Sequence, residues 1–499
     1  MIKKFGFNAF YVIYTLLSGW VFLSAVSNVE GGILGNSVVT GGMLIIFGIL
    51  SFVAVNAKEI PVKTYRALVL AGFVAFFVCI FVFGTITMTA PLSDLAVLIE
   101  AADYWLENGN ILSYSYYFTI CKNTLGNCIF IYLMFLPCHR LGINIYSDIA
   151  ECWGIAINSL MIVLTVYCMY RIAVRLFKNR NCQLLFLLMC YCYIPFYLWA
   201  HRYYSDTLSL AFLPLGILMY IKARENSGKN KIIYSVLCGI SLWIGYFIRG
   251  GIIIVLVAIV LYSAFCDDKQ FIKTGLRILL SFAITMVCWN KYVDSCRWID
   301  YSNKAIDDYP LTMWFMYGAH GEGNYNDDDV NLLNNCPDYA SRKELAREKL
   351  KEYYSQYTVN SYLEFLTLKF GITYGNGLFD TEKYLNNQRH SNFTHYFLLD
   401  GMPYTAAFRY ITNGLHIFTL IMAFISGLVN WKNKQWNTTM LMQIILVGNF
   451  IFFSFWETKA RYAFGITPVL VYLSLFTIVK IAVFISEKVR YSNNETIEV

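Results

Sequence analysis

Apolar runs of membrane length alternate with short polar stretches along most of this 499-residue chain. A helix needs about 20 apolar residues to cross a bilayer. By that measure spans are predicted near 7–27, 36–56, 67–88, 150–170, 183–200, 207–221, 232–248, 250–266, 274–292, 405–429, 438–455 and 462–485, about twelve in all. One long polar stretch, 294–403, breaks the pattern. Inside it, Arg342 to Tyr354 is strongly helix-forming with mixed charge, and Tyr362, Phe365, Leu366 and Phe370 recur near a helical period. A small helical subdomain is predicted there. The run 125–143 is shorter and is interrupted by Pro137, His139 and Arg140.

Charge decides what that short run is. Cations cluster at Lys58, Lys63 and Arg66; at Arg171, Arg175, Lys178 and Arg180; at Lys222, Arg224, Lys229 and Lys231; at Lys269, Lys273 and Arg277; at Lys432 and Lys434; and at Lys488 and Arg490. All six groups face the cytoplasm together only if 125–143 does not cross. It is then an amphipathic or re-entrant segment in the outer interface. Lys3 and Lys4 precede a first run that lacks an obvious cleavage site, so both termini are expected inside. The expected architecture is an all-α polytopic membrane protein of the cell membrane. Its parts are N-terminal transmembrane helices (1–88), an external loop with interfacial helices (89–149), a transmembrane core (150–293), a large external loop subdomain (294–403), and C-terminal transmembrane helices with a short cytoplasmic tail (404–499).

Composition agrees with that class. The chain is 58% hydrophobic and 14% charged, against about 25% charged in soluble domains. The net charge of +7 sits mainly in short loops, so it sets orientation and does not indicate nucleic-acid binding. The 14 Cys show no CxxC or Cys/His ligand spacing, and Cys79, Cys168, Cys190, Cys192, Cys238 and Cys288 fall in apolar runs. Cys296 and Cys336, both in the long loop, could pair. No internal repeat or low-complexity tract is present.

Four places at the expected outer edge could carry chemistry. In Pro91-Leu-Ser-Asp94, Ser93 or Asp94 could simply cap the following helix; alternatively Asp94 is a general base for a hydroxyl nucleophile. The Asp206 of Tyr203-Tyr204-Ser205-Asp206-Thr207, preceded by His201 and Arg202, is again either a cap or a site residue, and the tyrosines could be interface anchors. Arg249 could snorkel to headgroups. It is also a lone cation on a cation-poor face, which suits a bidentate grip on phosphate. In Trp456-Glu457-Thr-Lys-Ala-Arg461-Tyr462, Glu457 and Arg461 are four apart, so a helical ion pair competes with a functional role. Asp327-Asp328-Asp329 could bind a divalent cation but reads more simply as a solvated acidic run. His139, His201 and His320 have no metal-ligand spacing, and no metal or cofactor is implied.

Taken in order, these pieces resemble the membrane-embedded glycosyltransferases of the GT-C superfamily, in particular bacterial relatives of the protein O-mannosyltransferases and of the lipid A aminoarabinose transferase. Ser93-Asp94, with Asp103, Tyr104 and Asn108-Gly109 downstream, resembles the early Asp of the first large external loop. Tyr117 to Gly126 resembles a Tyr-Pro-Asn-Asn-x-Gly segment, with Lys122 where Pro is expected and Asn123 following. Tyr204-Ser-Asp206-Thr-Leu-Ser is similar to a Tyr-Thr-Asp-Thr-Leu-Ser stretch. Tyr317-Gly318 to Val330 and Lys369 to Gly377 resemble the start and end of the large loop, and Glu457, Arg461, Tyr462 and Pro468 the start of the last span.

The resemblance implies transfer of a sugar from a polyprenyl-phosphate carrier, such as undecaprenyl phosphate, at the outer face. Asp94 would be the catalytic base. Arg249 and Arg461, with Arg202, would hold the phosphate. Asp206 and Glu457 would bind sugar hydroxyls or hold the arginines, and Tyr204, Lys122 and Asn123 would line the substrate site. The acceptor would be a cell-wall polymer, a lipid or a protein. Two other classes fit the pattern less well. A polysaccharide polymerase with a lipid-diphosphate donor shares the outer loop and arginines. A lipid-linked sugar transporter or flippase would favour repeats and mid-membrane charges.

Overall fold

The computed structural model describes residues 2–29, 32–265, 269–385, 391–433 and 437–495. Lys434, one of the orientation charges, lies outside them. The described residues are helical, and ten helices are long and apolar enough to cross a membrane: Gly6–Ser27, Ile33–Asn56, Val62–Ile86, Asp148–Leu176, Ser205–Glu225, Gly228–Ile248, Ile272–Cys296, Thr405–Lys432, Thr438–Phe455 and Ala460–Val489. The protein is therefore a multi-pass membrane protein.

Two of the twelve expected spans are shorter. The run at 183–200 forms Arg180–Cys192 and then a single turn, Pro195–Leu198. Pro195 has no amide hydrogen to donate and its ring crowds the carbonyl four residues back, so the long helix ends at Cys192. The run at 250–266 forms a turn at Gly250–Ile252 and the helix Ile253–Phe265. The run 125–143 forms one helix, Leu125–Arg140, and the chain bends just before it: Leu112–Ile120 and Lys122–Arg140 meet at 111°, the geometry of a broken or re-entrant segment.

Three apolar cores hold the molecule. The largest joins the spans. The second joins Asp94–Asn108 and Leu125–Arg140 to Tyr203, Tyr204 and Ile248. Leu95, Leu98, Ile99, Ala102 and Trp105 are buried along one stripe of Asp94–Asn108, an amphipathic pattern that lays this helix across the bundle end. Gly109, left-handed at φ 72°, ends it. Gly126 lets Leu125–Arg140 approach closely, because a Cβ there would lie 2.0 Å from the carbonyl oxygen of Phe247.

The third core is the small helical unit of the long loop, where Met313, Met316, Tyr317, Leu333, Ala346 and Tyr353 pack together. The predicted helix at Arg342 to Tyr354 is Tyr339–Ser355. The helix Val359–Tyr374 packs instead against the core of the spans: Leu366, Phe370 and Tyr374 are buried there, and Trp20 donates to Thr367 at 2.9 Å. Cys296 and Cys336 are both free thiols, so the loop is not held by their disulfide.

Polar straps tie the loop down on two sides. On one side Lys122 bonds both carboxylate oxygens of Asp308 at 3.0 Å, and the Asp300 amide donates to Ser115 at 2.9 Å. On the other, the buried Lys369 donates to the carbonyls of Gly318 (2.5 Å) and Trp456 (2.9 Å). A Cβ on Gly318 would strike the Phe455 carbonyl oxygen at 2.2 Å, so glycine sets this approach as well.

Candidate functional site

The polar edge residues converge at one end of the bundle. Asp94 follows the span Val62–Ile86, Arg202 to Asp206 open Ser205–Glu225, Arg249 closes Gly228–Ile248, and Glu457 and Arg461 lie where Thr438–Phe455 hands over to Ala460–Val489.

Asp94 starts its helix without the expected capping bond. Ser93 makes no side-chain cap and sits at φ 57°, a left-handed conformation unusual for a non-glycine residue. Asp94 is half-buried and accepts hydrogen bonds from the hydroxyls of Tyr204 (3.2 Å) and Tyr117 (3.4 Å). Burial, and then the Asp94 carboxylate, push both phenols up, so they stay protonated and donate.

Behind Tyr204 lies an arginine cluster. Arg202 is 3% exposed and its guanidinium carbon is 5.2 Å from the Tyr204 ring centre and 3.9 Å from that of Tyr384. The Arg461 guanidinium carbon lies 5.7 Å from Tyr204, 5.5 Å from Tyr384 and 5.5 Å from Tyr462. Arg249 stands 5.4 Å from the Tyr462 ring and forms an ion pair with Asp206, whose side chain is wholly buried. Arg249 is thus paired, where the sequence reads as a lone cation. Among the described residues, Arg202 and Arg461 contact no carboxylate through their side chains, and the Nε of each is buried without a partner. Tyrosine faces replace carboxylates around them. Burial pushes Arg202 below the usual arginine range. Asp206 is paired with Arg249, and the buried Glu151 lines the same small cavity as Arg202 and His201. Arg202 and Arg461 thus lie against tyrosine rings without an ion-pair partner among the described residues.

Glu457 does not pair with Arg461. It is fully buried, accepts from the Tyr462 hydroxyl at 2.7 Å and pairs with Lys459 at 2.6 Å. The turn Trp456 to Lys459 is extended and not helical, which removes the four-residue register the pair would need. Lys122 and Asn123 stand apart: the amine of Lys122 is committed to Asp308, and Asn123 is exposed. Asp329 is not solvated. It is fully buried and accepts from Tyr353 (2.6 Å), Asn326 (2.7 Å) and His320 (3.0 Å), leaving Asp327 and Asp328 exposed. His201 is buried beside Arg202, and burial lowers it to about 4.

Tyr384 and Asp380 have no signature in the sequence. They lie just beyond the Lys369 to Gly377 stretch, and only the tertiary fold carries them to the arginines. Beside Arg249 and Tyr462 lies a small cavity of about 40 Å³, lined by Leu213, Ile252, Val255, Ile445 and Phe453 and by the polar Ser209 and Asn449.

Residues 7–481 match the family described as conserved hypothetical integral membrane protein. The chain belongs to that family. No curated protein matches it. Among solved structures it is similar to ArnT from Cupriavidus metallidurans bound to undecaprenyl phosphate, at 11% identity over 83% of this chain and 78% of that one, with a TM-score of 0.37.

Proposed function

We propose that this protein is a GT-C-type glycosyltransferase that moves a sugar from a polyprenyl-phosphate carrier to a cell-envelope acceptor at the outer face of the membrane. The observation that carries the reading is the arginine cluster at the end of the spans, where Arg202 and Arg461 lie against tyrosine rings without an ion-pair partner among the described residues. Of Arg202, Arg249 and Arg461, only Arg249 is ion-paired among the described residues, with Asp206, and a small cavity beside Arg249 is lined mostly by aliphatic and aromatic side chains, with Ser209 and Asn449. A phosphate monoester suits the guanidiniums, and a membrane-borne carrier suits their place at the end of the spans. The carrier is the donor, and the acceptor is a wall polymer, a lipid or a protein.

The chemistry follows from the same geometry. The acceptor hydroxyl loses its proton to Asp94 as its oxygen attacks the anomeric carbon. The bond from that carbon to the phosphate oxygen breaks, and the electron pair leaves with the polyprenyl phosphate. The arginines stabilise the charge that develops on the phosphate, a role worth about 10²–10³ in rate for a single donor. In-line attack predicts inversion. Tyr204 and Tyr117 aim the Asp94 carboxylate, Asp206 holds Arg249, and Glu457 orders the turn before Arg461. The long loop covers the site. Five cation-rich short loops and the cation-bearing C-terminal tail support termini inside and the site outside.

The test is turnover of radiolabelled undecaprenyl-phosphate hexose by purified protein in nanodiscs with crude envelope acceptors. Loss of sugar from the lipid with wild type and none with Asp94→Asn is expected. Binding or transbilayer movement of the lipid without turnover would sink the transferase reading in favour of a transporter, and turnover restricted to lipid-diphosphate donors would favour a polymerase.

A further inference from the structure

Four described non-glycine residues have positive φ: Ser93, Arg297, Phe379 and Asp380. Two of them are consecutive, Phe379 at 53° and Asp380 at 61°, and they border the arginine cluster. Such a turn persists only where its surroundings over-determine it. Here they do. Just upstream, the Gly377 amide donates to Asn413 at 2.7 Å, and a Cβ on Gly377 would lie 2.5 Å from the Thr412 carbonyl oxygen. The Phe379 ring is fully buried, 4.8 Å from His416 and 5.7 Å from Phe464.

The turn aims two things at the cluster. Its next residues, Thr381–Tyr384, form a short helix that ends on Tyr384, the ring on which Arg202 and Arg461 both lie. The Asp380 carboxylate, 4% exposed, accepts from the backbone amide of Arg461 at 3.2 Å through one oxygen and pairs with Lys383 at 2.7 Å through the other. Asp380 therefore caps the start of the helical turn Ala460–Ile466 that presents Arg461 and Tyr462. The Lys383 pair keeps its charge from cancelling that of the guanidiniums.

We infer that Asp380 is a positioning residue of the anion site: its carboxylate and left-handed turn lock Tyr384 between two guanidiniums and fix the backbone of Arg461, and so set how tightly the cluster grips a phosphate group. The inference rests on the reading above for the identity of that phosphate, an isoprenoid monophosphate.

Two substitutions separate the parts. Asp380→Gly keeps the left-handed turn, which glycine adopts freely, and removes only the carboxylate. Asp380→Asn tolerates the same φ and keeps an oxygen for the Arg461 amide. Binding of undecaprenyl phosphate and of neutral undecaprenol is measured for each in nanodiscs, together with melting temperature. The expected result for Asp380→Gly is a loss of about tenfold in affinity for the phosphate, with undecaprenol binding and melting temperature kept. Asp380→Asn should bind both as wild type does. Wild-type affinity in Asp380→Gly, an equal loss for undecaprenol, a tenfold loss in Asp380→Asn, or a Gly variant that no longer folds would each overturn the inference. Phenylglyoxal modification of Arg461, followed by mass spectrometry, gives a readout that needs no ligand. Faster modification in Asp380→Gly than in wild type and Asp380→Asn supports the positioning role, and equal rates overturn it. If wild type fails to bind the lipid phosphate, the proposed donor falls while the labelling still decides the role of Asp380.

Discussion

The hydroxyl of Tyr204 donates to Asp94 at 3.2 Å while its ring faces the guanidinium of Arg202 at 5.2 Å. One side chain thus touches both the candidate base and the candidate phosphate site. If Asp94 takes the acceptor proton, Asp94→Asn should abolish sugar transfer and leave folding intact, because the amide keeps the size and the acceptor oxygen but cannot accept a proton. Tyr204→Phe removes a hydrogen bond to a charged group, worth about 1.5–3 kcal/mol, and should slow transfer by tenfold or more. Single-turnover loss of label from the lipid reads both. Transfer retained in Asp94→Asn would remove that residue from the mechanism.

The ion pair between Arg249 and Asp206 separates stability from function. Asp206 is wholly buried, so removing its partner strands a charge, and removing Asp206 adds a third unpaired guanidinium. Breaking such a pair from one side costs about 3–5 kcal/mol. Asp206→Leu and Arg249→Met should each lower the melting temperature in detergent. The double variant should recover most of it, since replacing both charges is often neutral. It should not recover transfer, because the phosphate has lost Arg249. Recovery of both would make the pair structural only.

Much of the fold was legible because membrane spans are long and their apolar signal accumulates. The span expected at 183–200 shows where that signal fails. Its residues are apolar throughout, and only the backbone chemistry of Pro195 divides it. Gly126 and Gly318, quoted for family resemblance, prove to be points where a Cβ would strike a backbone oxygen. At the site, the edge charges of Asp94, Arg202, Asp206, Arg249 and Arg461 could be picked out because few charges occur at the span ends and short turns outside the long loop on that side. Their partners could not. Tyrosine is abundant in this chain, so nothing local marks Tyr384, and Asp380 matters through a backbone amide 81 residues away. Asp329 misled for the opposite reason: an acidic run looks solvated until a fold buries one member.

Membrane orientation is open to a direct check. Cys336 is a free, partly exposed thiol in the long loop, and Cys168 and Cys238 are buried in spans. A membrane-impermeant maleimide added to intact cells should label wild type at Cys336, and Cys336→Ser should lose that adduct in a peptide map. Labelling of Cys336 only after the membrane is opened would place the loop, and with it the arginine cluster, on the inside.

Lys369 supplies a pH dependence. Its amine is fully buried, holds the carbonyls of Gly318 and Trp456, and is pushed down to about 7 by burial, with Glu457 opposing that shift. In the unfolded chain the same group titrates near 10.5. Between those values the unfolded state binds the proton and the folded state does not, so folding stability from this group rises with pH, by up to about 1.4 kcal/mol per unit. The contribution is complete above 10.5 and is lost as pH falls through 7. Lys369→Met cannot titrate, and its melting temperature should therefore climb less steeply than that of wild type between pH 7 and 9. The variant also loses the two bonds that clamp the loop to the turn before Arg461, so transfer should fall at every pH. Parallel melting curves for the two proteins across that range would mean that Lys369 stays charged in the folded state and that the clamp is an ammonium at neutral pH.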